Sequence, residues 1–137
     1  MANEAVLVYE THPPIAFSCA DGATIEKGSF VIITDENIVA ITAADHDAVV
    51  GITAEEKIAS DGKLKIGVYT KGTFKGVAGT AGVTTGAAID MDTSTSAANK
   101  LADCAVNAEN IVGRALGTAT AGETFLFDLN PYASNLA

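Results

Sequence analysis

Large aromatic side chains are scarce in this sequence. Tryptophan is absent, and five phenylalanines and three tyrosines are the only aromatic residues among 137. A core with so few large rings must be packed mainly from valine, isoleucine and alanine, which suits a thin sheet-based domain such as a small barrel or sandwich. A chain of this length is expected to form a single domain.

Positive charge is also scarce. Eight lysines and arginines stand against 17 acidic residues, and the net charge is −9. A general nucleic-acid binder would carry a basic surface, and an anionic membrane would repel this chain, so neither partner is expected. No apolar run approaches the ~20 residues of a membrane span. The first ten residues, MANEAVLVYE, lack the basic region and apolar core of a signal peptide, which predicts folding in a cytoplasm.

Cysteine occurs twice, and neither occurrence carries a metal-binding or redox motif. Cys19 and Cys104 have small apolar neighbours, no CxxC spacing and no histidine close in sequence. The favoured interpretation is two buried thiols in a reducing compartment, and a single disulfide is the alternative.

Motifs for catalysis are missing as well. The sequence contains no GxSxG, no phosphate-binding P-loop and no GxGxxG that opens a helix. Asp45, His46 and Asp47 are the best candidate metal ligands, but adjacent residues on a strand point to opposite faces, so an exposed polar turn is the favoured interpretation. We therefore predict no catalytic residues, no metal, no cofactor and no enzymatic activity.

Short apolar strands separated by Gly, Asp, Asn and Thr turns make up most of the chain, which predicts an all-β fold. The clearest strand pattern is Gly62–Val77, where apolar residues at even positions alternate with polar residues at odd positions. Gly72 and Gly76 mark a bulge or a turn within it. The odd positions include four lysines, Lys63, Lys65, Lys71 and Lys75. One face of this stretch is therefore expected to be buried and the other to be basic.

Three pairs of glycines lie about 60 positions apart, which is typical of an internal repeat. They are Gly28 and Gly86, Gly51 and Gly113, and Gly62 and Gly122. The spacing predicts two similar β units that complete one small barrel or sandwich, with Gly62–Val77 closing the first unit. Thr124–Leu129 is its counterpart in the second unit, although its heavy apolar residues have moved from even to odd positions.

Residues 1–17 differ in pattern from the rest. A short extended run, Val6, Leu7, Val8 and Tyr9, is followed by Pro13 and Pro14. A pair of prolines cannot sit inside a ladder of strands. Two interpretations remain open, an extended arm that leaves the body and an edge strand followed by a turn. The predicted division is an N-terminal arm (1–17), a β-rich domain (18–130) and a C-terminal tail (131–137).

The order of the motifs resembles that of the tailed-phage capsid decoration (head cement) proteins, a class similar to the lambda head decoration protein. The resemblance covers about residues 20–130 and is carried by GSFVII, IVAITA, VVGIT, GKLKIGVYTKGTFKGV, VTTGAAID, NIVGRAL and GETFLFDL, in this order. It implies a structural virion protein that is made in the host cytoplasm and binds the outer capsid surface. Such proteins assemble as homotrimers at local three-fold positions and clamp the major capsid protein.

Two sets of contact residues are expected on this resemblance. The capsid contact is predicted at Val6, Leu7, Val8, Tyr9, Pro13 and Pro14. The contact between subunits is predicted at Lys63, Lys65, Lys71 and Lys75, with plain solvated lysines as the alternative. The competing function is a β-sandwich carbohydrate-binding or adhesion module, which the lack of tryptophan argues against.

Overall fold

All regular elements in the described part of the computed structural model are β-strands. The described residues are 3–42, 47–92, 99–104 and 110–131. The strands are β1 (Val6–Tyr9), β2 (Ile15–Ser18), β3 (Phe30–Asp35), β4 (Ile38–Ile41), β5 (Val49–Thr53), β6 (Lys65–Tyr69), β7 (Gly72–Ala78), β8 (Ala88–Met91), β9 (Lys100–Asp103), β10 (Gly113–Ala115) and β11 (Thr124–Leu129). The all-β prediction is confirmed. Within these ranges no helix has the length and apolar character needed to cross a bilayer.

The strands that follow β1 form two closed barrels. The first has the order β2-β4-β3-β5-β6, and the second has the order β7-β9-β8-β10-β11. In each barrel the strands that come first and third along the chain pair in parallel, β2 with β4 and β7 with β9. The other neighbours pair antiparallel. The two barrels therefore share one topology, which confirms the prediction of two similar β units. The units do not complete one barrel together, because each closes on itself.

Matching glycines allow two neighbouring strands to approach closely in both barrels. A Cβ atom on Gly51 would collide with the carbonyl oxygen of Tyr69, and a Cβ atom on Gly113 would collide with the carbonyl oxygen of Asp128. Tyr69 and Asp128 occupy equivalent positions on the closing strands β6 and β11. A side chain at either glycine would push two neighbouring strands apart, so this position admits only glycine.

The opposite alternation of the two closing strands is also confirmed. Buried side chains occupy even positions on β6 and odd positions on β11. In the first barrel the carbonyl of Leu64, two residues after Gly62, accepts a backbone hydrogen bond. In the second barrel the carbonyl of Glu123, one residue after Gly122, accepts the matching bond. The turn after Gly122 is thus one residue shorter, so inward-facing residues fall at odd positions on β11 and at even positions on β6.

Gly62–Val77 contains two strands rather than one. β6 closes the first barrel and β7 opens the second, with Thr70 and Lys71 between them. Buried even positions continue through both strands, so the alternation gives no sign of the break. The chain bends at Lys71, just before Gly72, which has a φ of 142°. The bulge or turn predicted at Gly76 is wrong, because β7 pairs with β11 through that position without a shift in register.

β1 is an edge strand on the second barrel. It pairs antiparallel with β7, with Val6 opposite Lys75. Ala5 is buried and its N–H donates to the carbonyl of Gly28 at 2.9 Å, while Leu7 packs against the main core. Residues 6–14 therefore follow the second interpretation, an edge strand and a turn. The predicted boundary at residue 17 lies inside β2, which belongs to the first barrel.

One hydrophobic core extends across both barrels. It joins Phe30 and Ile52 of the first barrel to Phe74 and Phe127 of the second. The rings of Phe30 and Phe127 stack with their centroids 6.1 Å apart. A smaller cluster that includes Phe17 fills the interior of the first barrel alone. The larger cluster holds the two barrels together as one packed body.

Candidate functional site

The outward face of β1 exposes apolar side chains. Val6 is 59% exposed, Val8 is 38% exposed and Tyr9 is 67% exposed. Leu7 points the other way and is half-buried. Contiguous apolar residues on a surface strand are typical of a contact for another macromolecule. Of the residues predicted to touch a capsid, Pro13 and Pro14 are also exposed, in the turn between β1 and β2.

The apolar surface of β1 continues across the second barrel. Val6 lies opposite Lys75 on β7, and Lys75 lies opposite Leu126 on β11. Leu116, just after β10, donates its N–H to the carbonyl of Leu126 at 2.8 Å. We call these four residues the apolar row, in which three are apolar and Lys75 lies between Val6 and Leu126. Leu116 and Leu126 are 49% and 37% exposed, and the sequence analysis did not select them.

The first barrel lacks this apolar row. In its matching positions it carries Ala16, Gly67 and Ala54, where the second barrel has Lys75, Leu126 and Leu116. The two barrels thus differ on one face, which carries small residues in the first barrel and large exposed residues in the second. Barrel closure needs neither set, so the large residues point to a contact made by the second barrel.

A groove of about 400 Å³ runs beside β1. It is lined by Glu4, Ala5, Val6, Leu7, Lys27 and Tyr69. Burial raises the pKa of Tyr69, and a hydrogen bond to the Glu10 carboxylate adds to the shift. Glu10, just after β1, thus lies close to Tyr69 of the first barrel.

The four lysines selected from the sequence are divided between the barrels. Lys63 precedes β6, and its Nζ lies 3.8 Å from a Glu55 carboxylate oxygen and donates to the carbonyl of Glu56. Lys65 lies on β6, Lys71 in the connection to β7, and Lys75 on β7 itself. They do not form one basic face of a single strand.

The two barrels are joined by a buried polar contact as well as by aromatic packing. Asn99, in the turn before β9, is fully buried, and its Oδ1 accepts a hydrogen bond from the N–H of Phe30 at 3.1 Å. Asn99 has a φ of 63°, and its counterpart Asn37 in the first barrel has a φ of 58°. Asn37 is exposed. The left-handed turn of the second barrel thus contacts the first barrel, whereas the same turn of the first barrel faces solvent.

Replacing Asn99 with glycine is expected to lower the free energy of unfolding by about 1–3 kcal/mol, because the N–H of Phe30 loses its acceptor while glycine still tolerates the left-handed backbone. The matched control is Asn37→Gly, for which we expect a change of a few tenths of a kcal/mol at most, about the cost of an exposed turn substitution. Urea unfolding of both variants measures the difference. Equal losses would show that the amide of Asn99 contributes nothing beyond its turn.

Lys57 is a buried cation that the sequence analysis missed. Its side chain is 0% exposed, and its Nζ donates to Asp61 Oδ1 at 2.7 Å and to the carbonyls of Asp21 and Ile58. Burial opposes its charged form, but the hydrogen bond and charge of Asp61, with the charge of Asp21, outweigh burial and raise the pKa of Lys57. The signal was available in the repeat, because Ala119 occupies the matching position in the second barrel.

The hydrogen bond from Lys57 also holds the pKa of Asp61 well below its usual range, with help from the N–H groups of Lys63 and Ile58. All three donor positions of the Lys57 ammonium are therefore used within the loops that close one end of the first barrel. This geometry fixes loops in place and leaves no donor for a ligand.

The other candidates for chemistry find little support in the described part of the chain. Cys19 is buried and Cys104 is half-buried, and no disulfide joins them. Burial raises the pKa of Cys19, which makes it a poor nucleophile. Asp45 and His46 lie outside the described residues. Among the residues that are described, no group of His, Cys, Asp and Glu could hold a metal ion. Tyr9 is the exposed aromatic ring of these ranges, so they present no stacked aromatic platform for a sugar.

Comparisons with known proteins found a likeness in structure and none in sequence. No family model and no curated protein matches the chain. Among solved structures, the chain is similar to the N base of head fiber gp8.5 of bacteriophage phi29. The TM-score is 0.58 at 11% sequence identity, over 90% of this chain and 98% of that chain. At this level of sequence identity, the structural likeness shows a shared fold. The neighbour is a phage head fiber, whereas the resemblance in sequence pointed to the lambda decoration class.

Proposed function

We propose that this chain is a structural protein of a phage head, which binds the outer surface of the capsid shell and stabilises the expanded shell without catalysing a reaction. The observation that carries the proposal is the shared fold with a phage head fiber base across nearly the whole of both chains. The motif order that resembles head cement proteins points independently to the same place in the virion.

The proposed capsid contact is the outward face of β1 with the apolar row, and it includes the exposed turn at Pro13 and Pro14. Val6 and Val8 supply apolar area, and Lys75 supplies a cation in an otherwise acidic chain. A protein that binds the assembled shell and not its separated subunits stabilises the shell by mass action, and many identical sites multiply the effect. The partner in this proposal is the major capsid protein, and the chain acts as a homotrimer over local three-fold positions.

Replacing Val6 with aspartate is expected to weaken binding to expanded heads at least about 10-fold, because a charge in the contact must be desolvated without a partner. The thermal midpoint should stay unchanged, since Val6 is 59% exposed in the free protein. The assay is co-sedimentation of purified protein with expanded heads of the phage that encodes it.

The matched control is Leu64→Asp, at an apolar residue that is 60% exposed on the first barrel. It introduces the same charge at the same exposure, away from the proposed contact, and should bind heads as the parent does. Equal loss in both variants would place the contact elsewhere, and failure of the parent protein to sediment with heads would overturn the proposed function. Deleting residues 2–14 is a poorer test, because Ala5 and Leu7 pack against the core.

A further inference from the structure

One side of the first barrel is covered by the second. The covered side chains form a row across three neighbouring strands, in which Tyr69 lies opposite Ile52 and Ile52 lies opposite Phe30. Phe30 and Ile52 are fully buried although they point outward from their own barrel. Phe30 stacks on Phe127, and Tyr69 meets the ring of Phe74 edge-on at 5.7 Å. We call Phe30, Ile52 and Tyr69 the donor row of the first barrel, because this barrel contributes them to the contact; the name does not refer to hydrogen bonds.

The second barrel has a donor row of its own, and this row is open. In the matching positions Asp128 lies opposite Arg114, and Arg114 lies opposite Ala88. Arg114 and Asp128 are exposed, and a depression of about 130 Å³ lies over them, lined also by Ile111 and Asn130. The surface that holds the two barrels together is thus covered on the first barrel, and the matching surface of the second barrel is exposed.

The receiving side shows the reverse arrangement. In the second barrel Phe74 and Asn99 receive the donor row and are buried. Their counterparts at the same end of the first barrel are Ile15 and Asn37, and both are exposed, with Ile15 at 42%. Each chain therefore contains one completed contact between barrels, an open donor row at one end and an open receiving end at the other.

We infer that the open donor row of one copy binds the open receiving end of a second copy, so that the contact within the chain is repeated between chains. This is a head-to-tail interface, in which each copy uses two different surfaces. The interface deepens the self-association included in the proposed function, but it is argued from the duplicated fold and holds in free solution, without a capsid.

One charge of the open donor row favours this pairing. The row carries Arg114, where the covered row has the apolar Ile52, and also Asp128 opposite Arg114, so the row has no net charge of its own. Arg114 Nη1 donates to the carbonyl of Gly86 at 3.2 Å and keeps further donors for a partner. The open receiving end is acidic, because Asp35 and Glu36 are exposed in the turn that contains Asn37. A guanidinium that approaches two carboxylates gives a specific, salt-sensitive contact, and it replaces part of the apolar packing used inside the chain. The contact between copies should consequently be weaker than the contact between barrels.

The interface borders the proposed capsid contact. The two surfaces meet on β11, where Leu126 and Asp128 lie two residues apart on the outward face, and at β10, where Leu116 follows Arg114 by two residues. The β1 end of the capsid contact lies further round the barrel, because β1 pairs with β7, and β7 and β10 are two strands apart in a closed ring of five. A neighbour bound at Arg114 therefore leaves the β1 end of the capsid contact open to the shell.

Sedimentation velocity over a range of concentrations at low salt, about 50 mM, tests the interface. The parent protein should self-associate, and Arg114→Glu should weaken the association at least about 10-fold because like charges then meet. Glu36→Arg should weaken it similarly. Combining both substitutions in one chain should recover association to within about 3-fold of the parent, because the opposite charges are again paired across the interface.

Lys65→Glu separates this interface from the contact between subunits predicted at the four lysines, since Lys65 is an exposed cation of that set and lies outside both surfaces described here. It should leave association unchanged. Circular dichroism checks that each variant is folded, and if Arg114→Glu is not, the comparison of Glu36→Arg with the parent decides alone. A parent that stays monomeric at every concentration, a double variant no better than the singles, or a loss on Lys65→Glu alone would each overturn the inference. Head binding by a monomeric parent would leave the proposed function standing without this interface.

Discussion

Phe30→Ala is expected to lower the free energy of unfolding by about 3–5 kcal/mol and to separate the unfolding of the two barrels. Phe30 belongs to a strand of the first barrel, yet its ring is fully buried against Phe127 of the second. Truncation opens a cavity at the place where the two halves meet. Calorimetry should show the parent unfolding in one transition and the variant in two, with a calorimetric enthalpy that exceeds the van't Hoff value.

The matched control is Phe17→Ala, which removes a ring from the smaller cluster inside the first barrel. Phe17 is 8% exposed, so the loss of buried area is of the same kind. We expect this control to destabilise the protein while its transition stays single. A single transition for Phe30→Ala as well would mean that the barrels are coupled by contacts other than this ring.

Asp61→Asn is expected to lower the thermal midpoint at pH 7 by on the order of 10 °C, because it removes the closest counter-charge of a buried lysine. Lys57 Nζ lies 2.7 Å from Asp61 and 3.6 Å from Asp21. Asparagine keeps the size of the side chain but only one accepting oxygen, whereas the N–H groups of Ile58 and Lys63 bond different oxygens of Asp61. The expected loss therefore combines the lost charge with one lost backbone hydrogen bond. Differential scanning fluorimetry at pH 7 measures it.

The pH dependence of the same variant gives an independent check. The folded-state pKa of Asp61 is depressed, so its contribution to stability is fully present above the unfolded value of about 4 and is lost as pH falls below it. Midpoints of the parent and of Asp61→Asn should therefore converge as pH falls from about 4 to about 2. A constant gap over that range would contradict the ion pair as the cause. Lys57→Met is the companion variant and should also lower the midpoint, because the carbonyls of Asp21 and Ile58 and the Asp61 carboxylate all lose their donor.

The local geometry of this fold was readable from the sequence because short-range sterics set it. Even positions from Ile66 to Ala78 are buried and the odd positions are not, as the alternation predicted. The repeat was visible because turns and close strand approaches need glycine at fixed places. Gly28, Gly62, Gly86 and Gly122 all have φ values between 81° and 86°. These constraints act within a few residues, so one sequence reveals them.

What the sequence did not reveal depends on contacts between distant residues. The extended run at Val6 could have left the body, and only the free edge of β7 explains why it folds back. Nothing near Phe30 indicates that an outward-facing ring is buried by the other barrel. The burial of Lys57 depends on Asp21, a residue on a different loop. In each case the partner lies more than about a dozen residues away, beyond the reach of local patterns.

The candidate contact surfaces were only partly predictable for the same reason. The residues of β1 stood out as an apolar run bounded by acids and prolines, and the structure leaves Val6, Val8 and Tyr9 exposed. Leu116 and Leu126 look like ordinary core residues in the sequence. The exposure of Leu126 follows from the shorter turn after Gly122, which sets which positions of β11 face outward.

The short connection between the barrels has an entropic consequence. Only Thr70 and Lys71 separate β6 from β7, so the faces that meet at Phe30 are tethered within a few ångströms of each other. Such a tether acts as an effective concentration in the millimolar range or above. Two separate barrels with the same faces would come apart on dilution, whereas the fused pair stays closed at any concentration. The chain therefore has one contact between barrels that dilution does not break and, in the interface inferred above, one that responds to concentration.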